Sequence, residues 1–195
     1  MRSVIDVTGS LTVPILDLDD AFARPYRASD AAMLHEAVNE TAESLAAWLD
    51  WYRPDYALAD AEQWIAHCTK GRESGDLYVF ALFDAADERF LGAVGISQRD
   101  RLRNAAGIGY WIRASARGRG LAARLGREVA TFGFRHVNLA RIEIVAATHN
   151  IASRRTAEKI GARFEGVRHD HLRVGNRMLD AAVYALAPAE QASTR

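Results

Sequence analysis

A single cysteine, Cys68, stands in a chain of 195 residues, so no internal disulfide can form. It sits in a helical context, where a lone thiol reads as a buried packing residue rather than a nucleophile. Net charge is also missing, because 25 lysines and arginines balance 25 aspartates and glutamates. A protein that grips nucleic acid by its phosphates carries a basic excess, so no direct nucleic-acid partner is expected. The basic strings SQRDRLRN (97–104) and RRTAEK (154–159) are local. No apolar run nears membrane-spanning length, the longest clear one being LYVFALF (77–83). The opening MRSVIDVTGS lacks a basic-then-apolar leader pattern. These absences point to a cytoplasmic protein without a membrane partner. Repeats, low-complexity tracts and linkers are absent too, which implies one domain over 1–195, with a core at about 20–187 and a frayed tail, PAEQASTR.

Periodicity supplies the elements. LTVPILDL (11–18) reads as a short strand or arm, and FARPYRASD (22–30) as a strand leading into a helix capped by Ser29 or Asp30. That helix continues through AAMLHEAVNE (31–40). AESLAAWLDWY (42–52) follows as a second helix stopped by Pro54. A third spans 59–71, capped by Asp60 and ended by Gly71. The period then changes to strands at 76–84, 90–99 and 105–113, joined by short polar turns as in an antiparallel meander. Leu121, Leu125, Val129, Phe132 and His136 next mark one stripe of a long helix. A strand at 140–148, a helix at 150–161 ending on Gly161, and two strands across Gly175-Asn176 complete an α+β chain.

The densest signal is RGRGLAARLG (117–126), a glycine-rich turn between a strand and a helix. Glycine lets a backbone approach a ligand, and bare N–H groups at a helix start attract anions, so a phosphate is the expected guest. A nucleotide P-loop would need a Lys-Ser/Thr pair after the glycines, and none follows. GRGLAA (118–123) formally fits the dinucleotide fingerprint, with Glu143 downstream. However, RASAR (113–117) separates it from its strand, and the preceding strands read as antiparallel. A ligand-free helix entry is the remaining structural reading.

The string GYWIRASARGRGLAARL resembles the acyl-coenzyme A signature of the GCN5-related N-acetyltransferases (GNAT), matching at Arg117, Gly120 and Ala122. A second block, HNIASRRTAEKIGARFEG (149–166), resembles the family's Asn-x-x-Ser helix followed by Lys-x-Gly and Glu-Gly. Together with SLAAWLDW near the start, these blocks are similar to the RimJ/RimL-type ribosomal-protein acetyltransferases. The resemblance implies a GNAT-type fold: a central mixed, mostly antiparallel sheet of about seven strands flanked by helices.

It also implies acetyl-coenzyme A as cosubstrate. The backbone N–H groups of Arg117, Gly118, Arg119, Gly120, Leu121 and Ala122 would hold its pyrophosphate, with a smaller share from the Arg117 and Arg119 charges. The strand Trp111–Ile112–Arg113 would pair with the pantetheine arm, and one of its N–H groups would hold the tetrahedral oxyanion. Asn150 would bond the arm from the far side, a role compatible with capping a helix. Ser153 matches the family serine that protonates the leaving thiolate, with a plain first-turn serine as the rival reading.

The base departs from the family pattern. Gly107 stands where many relatives carry glutamate, and Leu172 where the RimL type has another. His171, flanked by His169 and Asp170, and Glu143 are the candidates, and water-relayed deprotonation stays open. An α-amine, with a reference pKa of about 8, needs less help than a lysine at about 10.4. The acceptor would meet the first helices and last hairpin, where Trp48, Trp51, Tyr52 and Trp64 either wall a pocket or pack in the core. The implied acceptor is a protein N-terminus. A small amine (polyamine, amino acid or antibiotic) and a non-catalytic acyl-coenzyme A-binding domain are the alternatives. No metal site is read, and homodimer formation is left open.

Overall fold

The structure, a computed structural model, describes residues 13–188. Two short strands, β1 (Leu16–Asp17) and β2 (Ala21–Arg24), lead to the helices α1 (Ala31–Glu40), α2 (Ala42–Trp48) and α3 (Leu58–Ser74). The meander β3 (Tyr78–Asp84), β4 (Phe90–Asp100) and β5 (Ala105–Ile112) follows. The remainder is α4 (Leu121–His136), β6 (Arg141–Ala147), α5 (Ile151–Ile160) and the hairpin β7 (Arg163–Val174) and β8 (Arg177–Leu186). The described residues form one eight-stranded sheet of order β1-β2-β3-β4-β5-β6-β8-β7. This is the expected mixed, mostly antiparallel sheet. The strand beyond the expected seven is the two-residue β1, the part of the predicted 11–18 strand or arm that pairs with β2. Leu11 and Thr12, and the tail from Ala189, lie outside the described residues.

Each sheet face carries its own core. On one face the α4 stripe of Leu121, Leu125, Val129 and Phe132 meets Phe80, Val94 and Ile96. On the other, Leu34 and Val38 of α1 and Ile65 and Cys68 of α3 pack on Phe83 and Phe90. Fully burying each such large side chain contributes about 1.5–3 kcal/mol. Cys68 is buried, as read from its helix, and burial pushes its thiol up to about 12, which keeps it inert.

Two helix C-terminal ends differ from expectation, and the third helix starts at Leu58 after Ala57, with Asp60 in its first turn accepting from Ala57 N rather than standing at the cap. The second helix stops at Trp48, because Leu49 is extended (φ −123°, ψ 120°), so Trp51 and Tyr52 leave the helix before Pro54 is reached. The third helix runs on to Ser74 and is capped by Gly75 at φ +76°. Gly71 lies inside it, where a Cβ would sit 2.5 Å from Leu77 Cβ. That glycine permits close packing and terminates nothing.

One feature of the sheet positions the site. β5 and β6 are the parallel neighbours, and they pair only at Ala105–Gly107 against Arg141–Glu143. Beyond Gly107 they share no further registered pairs, which leaves a main-chain edge of β5 uncovered.

Candidate active site

Past the end of β5, a 3-10 turn (Ala114–Ala116) leads to the glycine turn and α4. Gly118 (φ +82°) and Gly120 (φ +72°) adopt left-handed conformations, and a Cβ on either would meet nothing within 4 Å. Their role is conformational, and the space above them is clear. The N–H groups of Gly118, Arg119, Gly120, Leu121 and Ala122 find no acceptor among the described residues, and no side chain caps α4. Arg117 N–H makes a long 3.4 Å bond to Ala114 O. Five adjacent donors at the positive end of a 16-residue helix fit a diphosphate. The third glycine of RGRGLAARLG serves a separate purpose. A Cβ on Gly126 would lie 2.5 Å from Ile160 Cδ1, so it seats α4 against α5.

The arginines of the turn brace it. Arg119 bonds Asp20 (3.0 Å) and Asp84 (3.2 Å), and Arg124 joins Asp20 at 2.7 Å. These two guanidinium groups hold the Asp20 carboxyl below its ordinary range. Arg117 turns back, its Nε donating to Ile112 O at 3.3 Å. The Arg113 side chain is buried and ion-paired with Glu36 and Glu40 of α1. Burial works against ionisation of Glu40, yet the Ser115 N–H and Arg113 hold its carboxyl below the usual range. Glu40 accepts from Ser115 N (2.8 Å), and Thr41 Oγ1 accepts from Ala114 N (3.1 Å). Arg113 is therefore an anchor that fixes the turn to α1.

The main chain of β5 sorts the three expected strand residues. Arg113 N donates to Leu91 O at 2.8 Å, and Trp111 is the β4-facing partner of Ala93 two residues earlier. By alternation, the N–H of Ile112 faces the uncovered edge toward β6. The Trp111 ring points to the α1 and α3 face, 6.4 Å from Trp51 and 5.7 Å from Phe90.

On the α4 face, Tyr110 reaches across to the start of α5. Its Oη donates to Ser153 O (2.8 Å) and lies 3.1 Å from Ser153 Oγ. Burial pushes this phenol up to about 12. Asn150 caps α5, its Oδ1 accepting from Ser153 N at 3.0 Å. Sequence reading passed over Tyr110. Its one signal was its place beside Trp111 on a strand whose alternate residues face opposite sides.

The candidate bases are not brought together. Glu143 lies in register with Gly107 on the same sheet face, next to the position where relatives carry glutamate. Its carboxylate accepts from Arg141 Nη2 (3.0 Å) and Arg168 Nη2 (3.4 Å). His171 is exposed on β7, where register slips between Arg168 and Leu172 and Asp170 has φ +47°. Asp180 engages His169 Nδ1 (3.0 Å) and the Asp170 N–H (3.1 Å). The β6–β8 pairing sets the levels of Glu143 and Asp180 five residues apart, about 17 Å along the sheet.

Opposite α4, the face of β3–β5 under α1 and α3 holds a cavity of about 670 Å³. Gly95 and Gly109 form part of its floor, and Trp51, Tyr56, Trp64 and Trp111 line it. Of the four aromatic residues expected on the acceptor side, Trp51 and Trp64 reach the cavity. Tyr52 packs against the second core, and Trp48 is not among the lining residues.

A helix N-terminus with five open donors, an uncovered strand edge and a cavity on the far face suit a group transferase with an extended, phosphate-bearing donor. The model of the acetyltransferase (GNAT) domain family matches residues 22–163. In Bacillus subtilis (strain 168), the provisionally named ribosomal N-acetyltransferase YdaF is 30% identical over 174 residues, covering 83% of this chain and 87% of its own. Among solved structures, Mycobacterium smegmatis RimJ with a coenzyme A disulfide superposes with a TM-score of 0.81 at 24% identity, covering 87% and 83% of the two chains. RimL, the ribosomal L7/L12 α-N-protein acetyltransferase, in complex with coenzyme A, has a TM-score of 0.83 at 20% identity, covering 89% and 98%. The chain belongs to the GNAT family and is an acetyl-CoA-dependent N-acetyltransferase.

Proposed function

We propose that the acceptor is the α-amine of a protein N-terminus, as the name α-N-protein acetyltransferase states for RimL and the ribosomal designation of YdaF supports, and that transfer is direct, within a ternary complex in the cytoplasm. One observation carries this reading. The open amides of the glycine turn and the cavity over Gly109 meet the same strand, β5, from different sides. Donor and acceptor thus reach one point without crossing.

Acetyl-CoA supplies a thioester carbonyl open to attack by an amine. The chain's own residues supply the rest. The amides of Gly118–Ala122 bind the diphosphate, and the Ile112 edge orients the arm and offers its N–H to the developing oxyanion. Asn150 and Ser153 flank the arm from α5. Tyr110, protonated and bonded to Ser153, holds the proton that the departing thiolate takes. Glu143 is engaged by Arg141 and Arg168, so the modest demand of an α-amine is met by water-relayed deprotonation.

Thiol release, assayed with short peptides that carry either free or blocked N-termini, checks the reading. Release is expected only with free N-termini, with slower turnover of lysine side chains. Turnover confined to polyamines or free small amines would overturn it.

A further inference from the structure

The cavity that faces β5 is aromatic, floored by glycine and short of usable charge. Trp51 and Trp64 are 48% and 40% exposed at its rim, and Trp51 stacks edgewise on Tyr56 at 6.3 Å. Leu34, Val38, Leu77 and Val79 line its deeper parts. Its ionisable lining groups are Arg53, Tyr56, Asp60, His67 and Tyr110. Both oxygens of Asp60 are already engaged. Oδ1 is ion-paired with Arg53, and Oδ2 accepts from Ala57 N at 2.8 Å. Burial pushes the Tyr56 phenol up to about 12, so it stays neutral. His67 lies against Trp64, ring centroids 5.6 Å apart. The Asp60 charge is thus offset by Arg53, which leaves no free carboxylate in the lining for the second charge of a polycation, and the volume exceeds what serine or alanine would fill.

Resting on the acceptor reading above, we propose that this cavity takes a large apolar or aromatic side chain on the residue that carries the reacting amine. The enzyme then selects amines adjacent to such a group over Ser- or Ala-initiated peptides and over polyamines. Gly95 and Gly109 act as specificity-determining residues, because their missing side chains make the floor. The apolar walls add a second benefit. They disfavour the ammonium form of the incoming amine, which eases its deprotonation where Gly107 leaves no carboxylate.

Gly109 offers a clean test. A Cβ there meets nothing within 4 Å, and its φ lies outside the left-handed region, so Gly109→Leu is expected to fold and fill the cavity. Peptides identical except for a first residue of Phe, Ser or Ala are compared by kcat/KM, alongside phenylalanine amide and spermidine. The wild type is expected to favour the Phe peptide by at least about ten-fold, and Gly109→Leu to erase that preference while leaving the thermal shift by coenzyme A intact. Phenylalanine amide is also titrated without coenzyme, read by tryptophan fluorescence. Quenching is expected in the wild type and not in Gly109→Leu. Turnover of phenylalanine amide but of no peptide would keep the side-chain site and discard the protein N-terminus. Equal or greater activity on Ser and Ala peptides, or an equal loss on all substrates in Gly109→Leu, overturns the proposal and leaves the N-terminal reading standing. If no acceptor releases thiol, the N-terminal reading falls, and the fluorescence titration alone decides the cavity.

Discussion

At the scale of single residues, the hydrogen-bonded pair of Tyr110 and Ser153 is the arrangement with the clearest chemical consequence. Its phenol is raised from the ordinary 10 to about 12 by burial, partly offset by the Ser153 bond. A raised tyrosine stays protonated as pH climbs past the ordinary tyrosine range, so the donor persists through neutral and mildly alkaline conditions. Tyr110→Phe and Ser153→Ala are each expected to lower kcat by about a hundred-fold, with coenzyme A affinity near wild type. The double variant should be no slower than the slower single one, since the two act as a unit. Additive losses would show independent roles, and a wild-type kcat in either variant would return that residue to helix and core packing.

At the scale of elements, the decisive piece is the junction of β5, the glycine turn and α4. Its geometry is set by Arg113, Thr41 and Glu40 on one side and by the Arg119–Asp20–Asp84 cluster on the other. Gly120 is the element's critical position because left-handed backbone and open amides coincide there. Gly120→Glu combines backbone strain of about 1–2 kcal/mol with a carboxylate at the diphosphate. Coenzyme A should stabilise the wild type in a melting experiment and leave this variant unmoved. An unchanged shift would place the diphosphate elsewhere. NAD should shift neither protein, since the dinucleotide reading fails on topology. The strand before the turn lies in an antiparallel meander, and among the described residues no βαβ series precedes it.

At the scale of the whole molecule, arginine–carboxylate pairs tie distant segments together. Arg141 joins β6 to Glu165 on β7, Arg119 and Arg124 hold Asp20, and Arg101 bonds Asp76. The carboxyls of Asp20, Asp76, Asp84, Glu40 and Glu165 are held below their ordinary range, most of them chiefly by arginine bonds, Asp84 first by the Ala86 N–H, and Glu40 despite its burial. A depressed folded pKa adds stability above the unfolded value, and that stability is lost as pH falls through the folded one. The melting temperature should therefore be nearly flat from neutral pH down to about 5 and fall below about 4, where unfolded carboxylates begin to take up protons. Exposure and solvent screening keep each contribution small. A melting temperature that holds down to pH 3 would show that these pairs contribute nothing net.

Local chemistry fixed much of this protein before folding was considered. Periods of two and of three to four residues mark most strands and helices, because side-chain alternation is a property of the chain itself. Gly118 and Gly120 marked a turn open to a ligand, and the structure adds that both take left-handed backbone, which glycine adopts without a side-chain penalty. Helix ends were less legible. Gly71 looks like a terminator in sequence, and only the approach of Leu77 reveals it as a packing glycine. Tertiary structure alone decided which donors are left open. Arg113 looked like a strand-edge residue and is instead bonded to α1, while Tyr110 meets Ser153 across 43 residues of chain. It likewise decided that Trp51 and Trp64 line a cavity while Tyr52 packs in the core, because a side chain's neighbours depend on how distant segments pack. Sequence periodicity carries only local distances, and the contacts that make a site span long ones.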